Sequence, residues 1–272
     1  MELPQIGLGT WMLKPPEATY SVIEAVKLGY RYIDTAQAYF NEKGVGEGLK
    51  EVIDTGVVKR EEVFIATKIF PMSNRPRAAY RSTIKSIKRL KLDYLDLMQI
   101  HWPAFALGYS HKGTLGALSK IVDEGIINHL GISNFTPQQT KDAVEAIEKP
   151  IFSNQIEHHP YLHQKELLKV LKKLGIHFIS YSPLGRGNAL NDPVIKEIAK
   201  KNKISSAQVC LSWIISKGAH PIPKATSLEH LKDNFNSLKV QLSEEDLKKI
   251  DNIQRVERYV HPPVVAPKEW KK

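Results

Sequence analysis

The sequence predicts an α/β protein built as a closed (β/α)8 TIM barrel with an extra C-terminal helix. Eight short apolar runs of strand composition alternate with segments of helical apolar spacing, and the strands recur roughly every 25 to 35 residues, the pitch of successive βα units. Such alternation implies parallel strands joined by right-handed crossovers. The length of 272 residues is near the roughly 250 typical of such a barrel. No shift in composition marks a boundary, so one domain is expected over residues 1–272. The count of eight favours a closed barrel over an open doubly wound sheet.

Gln5-Ile-Gly-Leu-Gly-Thr-Trp11 supplies the first strand. Ala18 to Leu28 puts Val22, Ile23 and Val26 on one helical face, and Gly29 stops that helix. Tyr32-Ile-Asp34 is the second strand, followed by a helix over Val45–Ile53. Val63–Lys68 is the third, followed by a basic amphipathic helix over Arg77–Leu90. Leu95–His101 is the fourth, and its helix, Thr114–Glu124, is closed by Gly125. Asn128–Asn134 is the fifth, and Pro137 opens a helix that runs to Ile147. Phe152–Glu157 is the sixth, with a helix over Lys165–Leu174 ended by Gly175. His177–Tyr181 is the seventh; a glycine-rich loop then leads to helices Pro193–Lys201 and Ser206–Lys217. His220-Pro-Ile-Pro-Lys224 is the last strand and Leu228–Phe235 its helix, while the extra helix Ser243–Ile253 precedes a proline-rich tail.

Bulk properties narrow the function classes. Hydrophobic content of 42% and charged content of 25% are ordinary globular values. The single cysteine, Cys210, excludes an internal disulfide and a cysteine metal site, and reads as a buried apolar residue on a helix. The opening Met1-Glu-Leu-Pro4 has neither the basic nor the apolar region of a signal peptide, and no run approaches the ~18 apolar residues that would span a bilayer. A cytoplasmic protein with no membrane partner is therefore expected. The net charge of +10 raises nucleic acid as a partner, but the cations are interleaved with carboxylates, as in Lys165-Glu-Leu-Leu-Lys169, and read as solvated helix faces. No nucleic-acid partner is expected, whereas a phosphorylated small ligand would suit the positive field.

Three glycine patterns, Gly7-Leu-Gly9, Gly44-Val-Gly-Glu-Gly48 and Gly185-Arg-Gly187, all lack the dinucleotide-fold spacing between a strand and its helix. The first two read as tight turns. The third follows the seventh strand, where free backbone N–H groups could hold a pyrophosphate. His158, His159 and His163 lack a zinc-enzyme spacing, since Pro160 interrupts them and no glutamate follows, so no metal is expected. More telling are three strand ends, at Asp34, Lys68 and His101, with Tyr39 in the loop after the first. Each apolar run stops at a single ionisable residue. On parallel neighbouring strands these four groups arrive at one rim of the sheet, where sites on α/β barrels are built.

Gly7-Leu-Gly-Thr-Trp11, Asp34-Thr-Ala-x-x-Tyr39, Thr67-Lys68, His101-Trp-Pro103, Gly131-Ile-Ser-Asn-Phe135, Asn154-Gln-x-Glu-x-His-Pro160, Tyr181-Ser-Pro-Leu-Gly185 and Ile222-Pro-Lys224, in that order, resemble the aldo-keto reductase family from about residue 6 to the tail. The resemblance implies that a nicotinamide cofactor lies across the barrel mouth and passes hydride to a carbonyl carbon. Tyr39 would then be the acid, with Lys68 lowering its phenol pKa, Asp34 holding Lys68, and His101 orienting the substrate oxygen. Ser133, Asn134 and Gln155 match the positions that grip the carboxamide, Tyr181 would stack on the nicotinamide, and Ser182, Leu184 and Gly185 match the pyrophosphate stretch. Trp11, Phe70 and Trp102 match or flank positions lining the substrate pocket, and loops 103–112 and 255–272 match the specificity loops.

The last motif departs from the family. Ala225 follows Lys224 where serine is usual, and His230 stands at an arginine position, followed by Asp233-Asn234. Lys224 can meet a 2′-phosphate and a protonated His230 can pair with it, but the always-charged guanidinium is lost. NADPH is the expected cofactor, with NADH a weaker alternative. The resemblance thus implies a monomeric, NADPH-dependent reductase of aldehydes, with ketones or keto-sugars as further substrates. The rival reading is a cofactor-binding regulatory subunit on the same fold; the complete Asp34, Tyr39, Lys68 and His101 set favours catalysis.

Overall fold

The computed structural model describes residues 2–271; Met1 and Lys272, the ends of the expected domain, lie outside them. Eight parallel strands lie side by side in chain order: β1 (Leu8–Gly9), β2 (Tyr32–Asp34), β3 (Phe64–Ile69), β4 (Leu95–Ile100), β5 (Ile127–Ser133), β6 (Ile151–Glu157), β7 (His177–Tyr181) and β8 (Ala219–Pro221). The Gly7 N–H donates to the Pro221 carbonyl at 3.0 Å and the Gly9 N–H to that of Pro223 at 3.1 Å. These bonds join first strand to last and close the (β/α)8 barrel. Around it run α1 (Pro15–Leu28), α2 (Glu42–Asp54), α3 (Pro76–Leu90), α4 (Gly116–Asp123), α5 (Pro137–Glu145), α6 (Lys165–Leu174), α7 (Pro193–Asn202), α8 (Ser206–Ser216), α9 (Leu228–Asn236) and the extra helix α10 (Glu244–Asp251).

Predicted and observed elements agree in type and order and differ at the seam and at several helix ends. The expected strands over residues 5–11 and 220–224 shorten to β1 and β8. Pro221 and Pro223 have no N–H to donate, so β8 can contribute only carbonyls at those positions. Helix ends follow local chemistry: Gly29 and Gly175 take left-handed backbone (φ 110° and 67°) and donate back to the last turn, while Asp192, Ser205 and Thr136 accept from the first N–H groups of α7, α8 and α5. Helix α4 opens later than expected, after a π-turn over His111–Leu115.

The glycine patterns read as tight turns have another cause. A Cβ on Gly44 would stand 2.1 Å from the Pro15 carbonyl oxygen, and one on Gly46 2.7 Å from that of Leu90. Both lie within α2 and let it press its backbone onto α1 and α3. Gly7 and Gly9 play the same part at the barrel seam, where a Cβ would meet the Tyr32 ring at 2.4 Å and the Ile222 carbonyl at 2.5 Å.

Register explains why the ionisable strand ends meet. Asp34 pairs with Ala66, Lys68 with Gln99, Gln99 with Gly131, Ser133 with Gln155, and Glu157 with Tyr181. Side chains two apart share a face. The inward row therefore climbs by two residues at successive strands, from Asp34 to Lys68 to His101, as the shear of a closed barrel demands.

Behind the barrel wall, His158 lies flat against Trp213 of α8 (centroids 5.0 Å apart, 29° between planes), and neither ring nitrogen has a partner among the described residues. Burial, with His159, His163 and Lys217 nearby, holds its pKa well below the usual histidine value. Cys210, on the same helix, is fully buried, and burial pushes its thiol well up, leaving it unreactive.

Two measurements test this framework. Gly44→Ala forces α1 and α2 apart and should cost about 1–3 kcal/mol or more in urea unfolding; unchanged stability would refute the close backbone contact. For His158, the unfolded ring gains a proton below about pH 6.5 while the folded ring does not, so stability must fall as pH drops from that point toward the lower folded pKa. His158→Phe should flatten that fall between pH 7.5 and 5 by about one proton's worth of slope, and an unaltered slope would contradict the buried neutral ring.

Candidate active site

The Asp34 carboxylate is the hub of the barrel mouth. Its Oδ2 accepts from the Lys68 ammonium at 2.6 Å, and its Oδ1 from the Gln155 amide at 2.7 Å and the Tyr32 hydroxyl at 3.4 Å. Lys68 donates further to the Thr35 carbonyl at 2.8 Å and lies 3.3 Å from the Tyr39 hydroxyl. Asp34 is 1% exposed and Lys68 0%, so neither charge can be met by water. Burial pushes the carboxyl up and the ammonium down, while their attraction, with Gln155 and Tyr32, opposes the shift.

Tyr39 sits in a one-turn 3-10 segment, Gln37–Tyr39, just after β2. Gln37 fixes the turn: its Oε1 accepts from the Phe70 N–H at 2.9 Å, and its Nε2 donates to Ser86 Oγ at 2.9 Å and the Ser82 carbonyl at 3.1 Å. The His101 ring meets the Tyr39 ring edge-on, centroids 5.8 Å apart. The expectation that Lys68 lowers the Tyr39 pKa does not hold in this arrangement. Burial and the Asp34 charge raise it well above the usual phenol value. Tyr39 is held protonated. His101 is shifted the other way: burial and the Lys68 charge keep it well below the usual histidine value, so its ring is neutral, and its Nδ1 has no partner among the described residues.

Asp34, Tyr39 and His101 open into a cavity of about 560 Å3. Of the residues expected to hold a cofactor, Ser133, Asn134, Gln155, Tyr181, Ser182, Leu184 and Lys224 line it; Gly185, His230 and Asn234 do not. The lining groups are wired together: Tyr181 donates to Asn134 Oδ1 at 2.8 Å, Asn134 Nδ2 to the His101 carbonyl at 2.9 Å, and Ser133 to the Gln155 carbonyl at 2.8 Å. Asn134, Ser182 and Gly185 each adopt left-handed backbone just past a strand end (φ 66°, 49° and 55°). His230 lies exposed on the first turn of α9, its N–H capped by Ser227, and Asn234 is buried on the same helix.

Trp11 and Trp102 border the cavity, but Phe70, expected there, does not. Its N–H is tied to Gln37 and the 3-10 turn Pro71–Ser73 carries the chain outward, so Phe70 lines a separate cleft beyond the Tyr39 turn. The three histidines considered for a metal diverge. His158 stacks on Trp213, His159 Nε2 bonds Glu157 at 3.2 Å, and His163 bonds the Pro160 carbonyl at 2.8 Å.

Several contributors lie in stretches that the sequence marked without singling out their side chains. Arg186 lines the cavity with its guanidinium 5.0 Å above the Trp11 ring, and Val260 and Pro262 bring the C-terminal tail to the rim. Glu157, fully buried, holds that tail: its Oε1 accepts from the Tyr259 N–H at 2.8 Å and its Oε2 from the Val260 N–H at 3.0 Å. Further along, Trp270 stacks edge-on against Trp102 at 5.9 Å and receives the Arg258 guanidinium at 3.9 Å. Glu157→Gln turns a donor toward one of those backbone N–H groups. It should cost about 1–3 kcal/mol and speed amide exchange at Tyr259 and Val260 while the strands keep their protection; unchanged exchange there would rule out the anchor.

Residues 5–255 match the model of the aldo/keto reductase family. The chain is 40% identical to a glyoxal reductase from Bacillus subtilis, over 95% of this chain and 91% of that protein. It is 39% identical to a methylglyoxal reductase from Escherichia coli O157:H7, over 99% of this chain and all of that one. Its structure superposes on the aldose reductase from Schistosoma japonicum with a TM-score of 0.92 at 30% identity, covering 99% and 96% of the two chains. With the Asp34–Lys68–Tyr39 hydrogen bonding in the barrel mouth and these likenesses along nearly its whole length, the chain belongs to the aldo-keto reductase family.

Proposed function

We propose that this enzyme reduces small aldehydes with NADPH, working as a monomeric, single-domain cytoplasmic protein over residues 1–272. The observation that carries the reading is the protonated Tyr39 hydroxyl, 3.3 Å from the buried Lys68 ammonium and beside the neutral His101 ring, on a cavity that fits a small carbonyl compound. Relatives named for glyoxal and methylglyoxal support aldehydes as the substrate class. One buried thiol suits a reducing compartment, and no helix among the described residues is long and apolar enough to cross a membrane.

The lining suits a nicotinamide dinucleotide. Tyr181 and Trp11 offer aromatic rings, while Arg186 and the exposed Lys224 offer cations for phosphates. When bound, the dinucleotide supplies hydride to the carbonyl carbon. The chain's own part is proton delivery. The neutral His101 offers a ring N–H to the carbonyl oxygen and turns it toward Tyr39, and the Tyr39 hydroxyl gives that oxygen its proton. The tyrosinate left behind is stabilised by the Lys68 ammonium, which Asp34 keeps charged and aimed. Raised in the resting site, the phenol pKa is drawn down only as charge develops, so the stabilisation from Lys68 falls on the transition state.

Lys224 and His230 are the residues toward a 2′-phosphate. Lys224 gives the preference for NADPH, and with histidine where a permanent guanidinium is usual the discrimination against NADH is weaker.

The test is cofactor oxidation followed by absorbance over a panel of aldehydes and ketones. Tyr39→Phe should lower turnover at least about 100-fold while leaving cofactor affinity unchanged. Lys224→Ala should remove about 1–3 kcal/mol of NADPH binding and leave NADH nearly unaffected. Tight NADPH binding with no turnover on any carbonyl would support a regulatory subunit instead, and an unchanged NADPH/NADH ratio in Lys224→Ala would remove that residue from phosphate recognition.

A further inference from the structure

The Tyr39 turn is a partition between two hollows. Ala38 and Tyr39 face the catalytic cavity, whereas Gln37 and Phe40 face a separate cleft of about 810 Å3 between the start of α2 and the outer side of α3. That cleft is lined by Arg75 just before α3, by Arg77, Arg81 and Lys85 along it and by Lys43 on α2, all exposed. Among the described residues none of these five cations forms an ion pair within the chain. The single carboxylate of the lining, Glu42, is already held by Arg89 Nε at 2.6 Å and Thr67 Oγ1 at 2.7 Å.

Helix α3 carries Arg77, Arg81, Lys85, Lys88 and Arg89 and no acidic residue. Arg77, Arg81 and Lys85 follow at four-residue steps, one helical turn or about 6 Å apart in rise, which brings like charges together on one face and disfavours the helix. In α10, by contrast, Glu244, Glu245 and Asp246 precede Lys248 and Lys249, and in α6 Glu166 stands among the lysines. A solvated basic face needs no cleft. This one has a cleft with a firm floor, Gln37 being bonded to Phe70, Ser82 and Ser86.

Phe40 is the second, independent observation. It follows Tyr39 directly, is 81% exposed, and is held at φ 55°, a left-handed conformation that is strained for a bulky aromatic residue. An apolar ring displayed in a strained turn at the mouth of a guanidinium-lined cleft offers a stacking face beside an anion site.

We propose that this cleft binds a nucleoside polyphosphate, with Arg75, Arg77, Arg81, Lys85 and Lys43 on the phosphates and Phe40 against the base. Arginine forks bind phosphate oxygens in pairs, and successive cations one turn apart suit a chain of charges better than a single one. The site is distinct from the mouth cavity, and its test rests on the cofactor reading only in using a dinucleotide to fill that cavity. Its occupancy would bear on catalysis through the shared turn that carries Tyr39.

The experiment is calorimetric titration of ADP into protein already saturated with oxidised nicotinamide dinucleotide, so that the mouth cavity is filled. Saturable one-to-one binding that weakens with salt is expected. Arg77→Ala/Arg81→Ala/Lys85→Ala should weaken it about tenfold or more and Phe40→Ala about threefold or more, whereas Lys169→Ala/Lys172→Ala/Lys173→Ala on α6, an equal loss of charge, should leave it within about twofold. Thermal unfolding without ADP checks that the variants fold; relief of like-charge repulsion should leave the α3 variant at least as stable as the parent. Absence of saturable binding to the loaded protein would overturn the proposal. So would an equal loss in the α6 variant, which would mean diffuse charge attraction, or tripolyphosphate binding as tightly as ADP with Phe40→Ala without effect, which would leave no nucleoside site.

Discussion

The mouth of this barrel depends on one buried carboxylate. Asp34 ends β2, yet its two oxygens accept hydrogen bonds from Lys68 on β3, Gln155 on β6 and Tyr32 on its own strand, tying together walls that are far apart in sequence. Such a pair is no simple gain in stability. Taking both charges out of water costs several kcal/mol per ion, and removing one partner alone would leave an uncompensated charge worth about 3–5 kcal/mol of destabilisation. What the pair secures is position: Lys68 cannot leave Asp34, and Tyr39 lies within reach of the same ammonium.

Around that pair the site is electrically quiet. The Tyr39 phenol is driven up and the His101 ring down, so both stand neutral beside a charged couple that burial presses toward neutrality from both sides. In the proposed reaction the neutral phenol is the acid and the neutral imidazole the hydrogen-bond donor to the carbonyl oxygen. The Lys68 charge is of most use when a phenolate forms, which is the condition for selective stabilisation of a transition state.

Two outer features frame this centre. Glu157, buried at the end of β6, fastens the C-terminal tail by its backbone and so delivers Val260 and Pro262 to the cavity rim, with Trp270 supporting Trp102 from behind. On the other side of the Tyr39 turn, α3 presents Arg77, Arg81 and Lys85, unpaired among the described residues, to a second cleft. One short turn, held by Gln37, therefore borders both the chemistry and the basic surface.

Much of this molecule was legible in the order of its residues. Alternating apolar runs and capped helices set the (β/α)8 barrel, because strand and helix periodicities are local properties. Single ionisable residues closing three apolar runs marked Asp34, Lys68 and His101, because parallel neighbouring strands must end on one rim. Other features had no local signature. Gly44 and Gly46 looked like turn residues and proved to be helix contacts, since the backbone they approach is distant in sequence. Phe70 matched a pocket position, but the bond from its N–H to Gln37 and the turn that follows take it to the other cleft. The Tyr39 pKa was expected to fall and rises, since a proton affinity depends on burial and on the nearby Asp34 charge. The sequence by itself determined that Asp34, Lys68 and His101 end their strands, because side-chain parity and the limits of each apolar run are written along the chain. Only the tertiary structure decided their charge states, the Glu157 anchor of the tail and the division of two clefts by one turn, because these depend on desolvation and on contacts between segments that no spacing records.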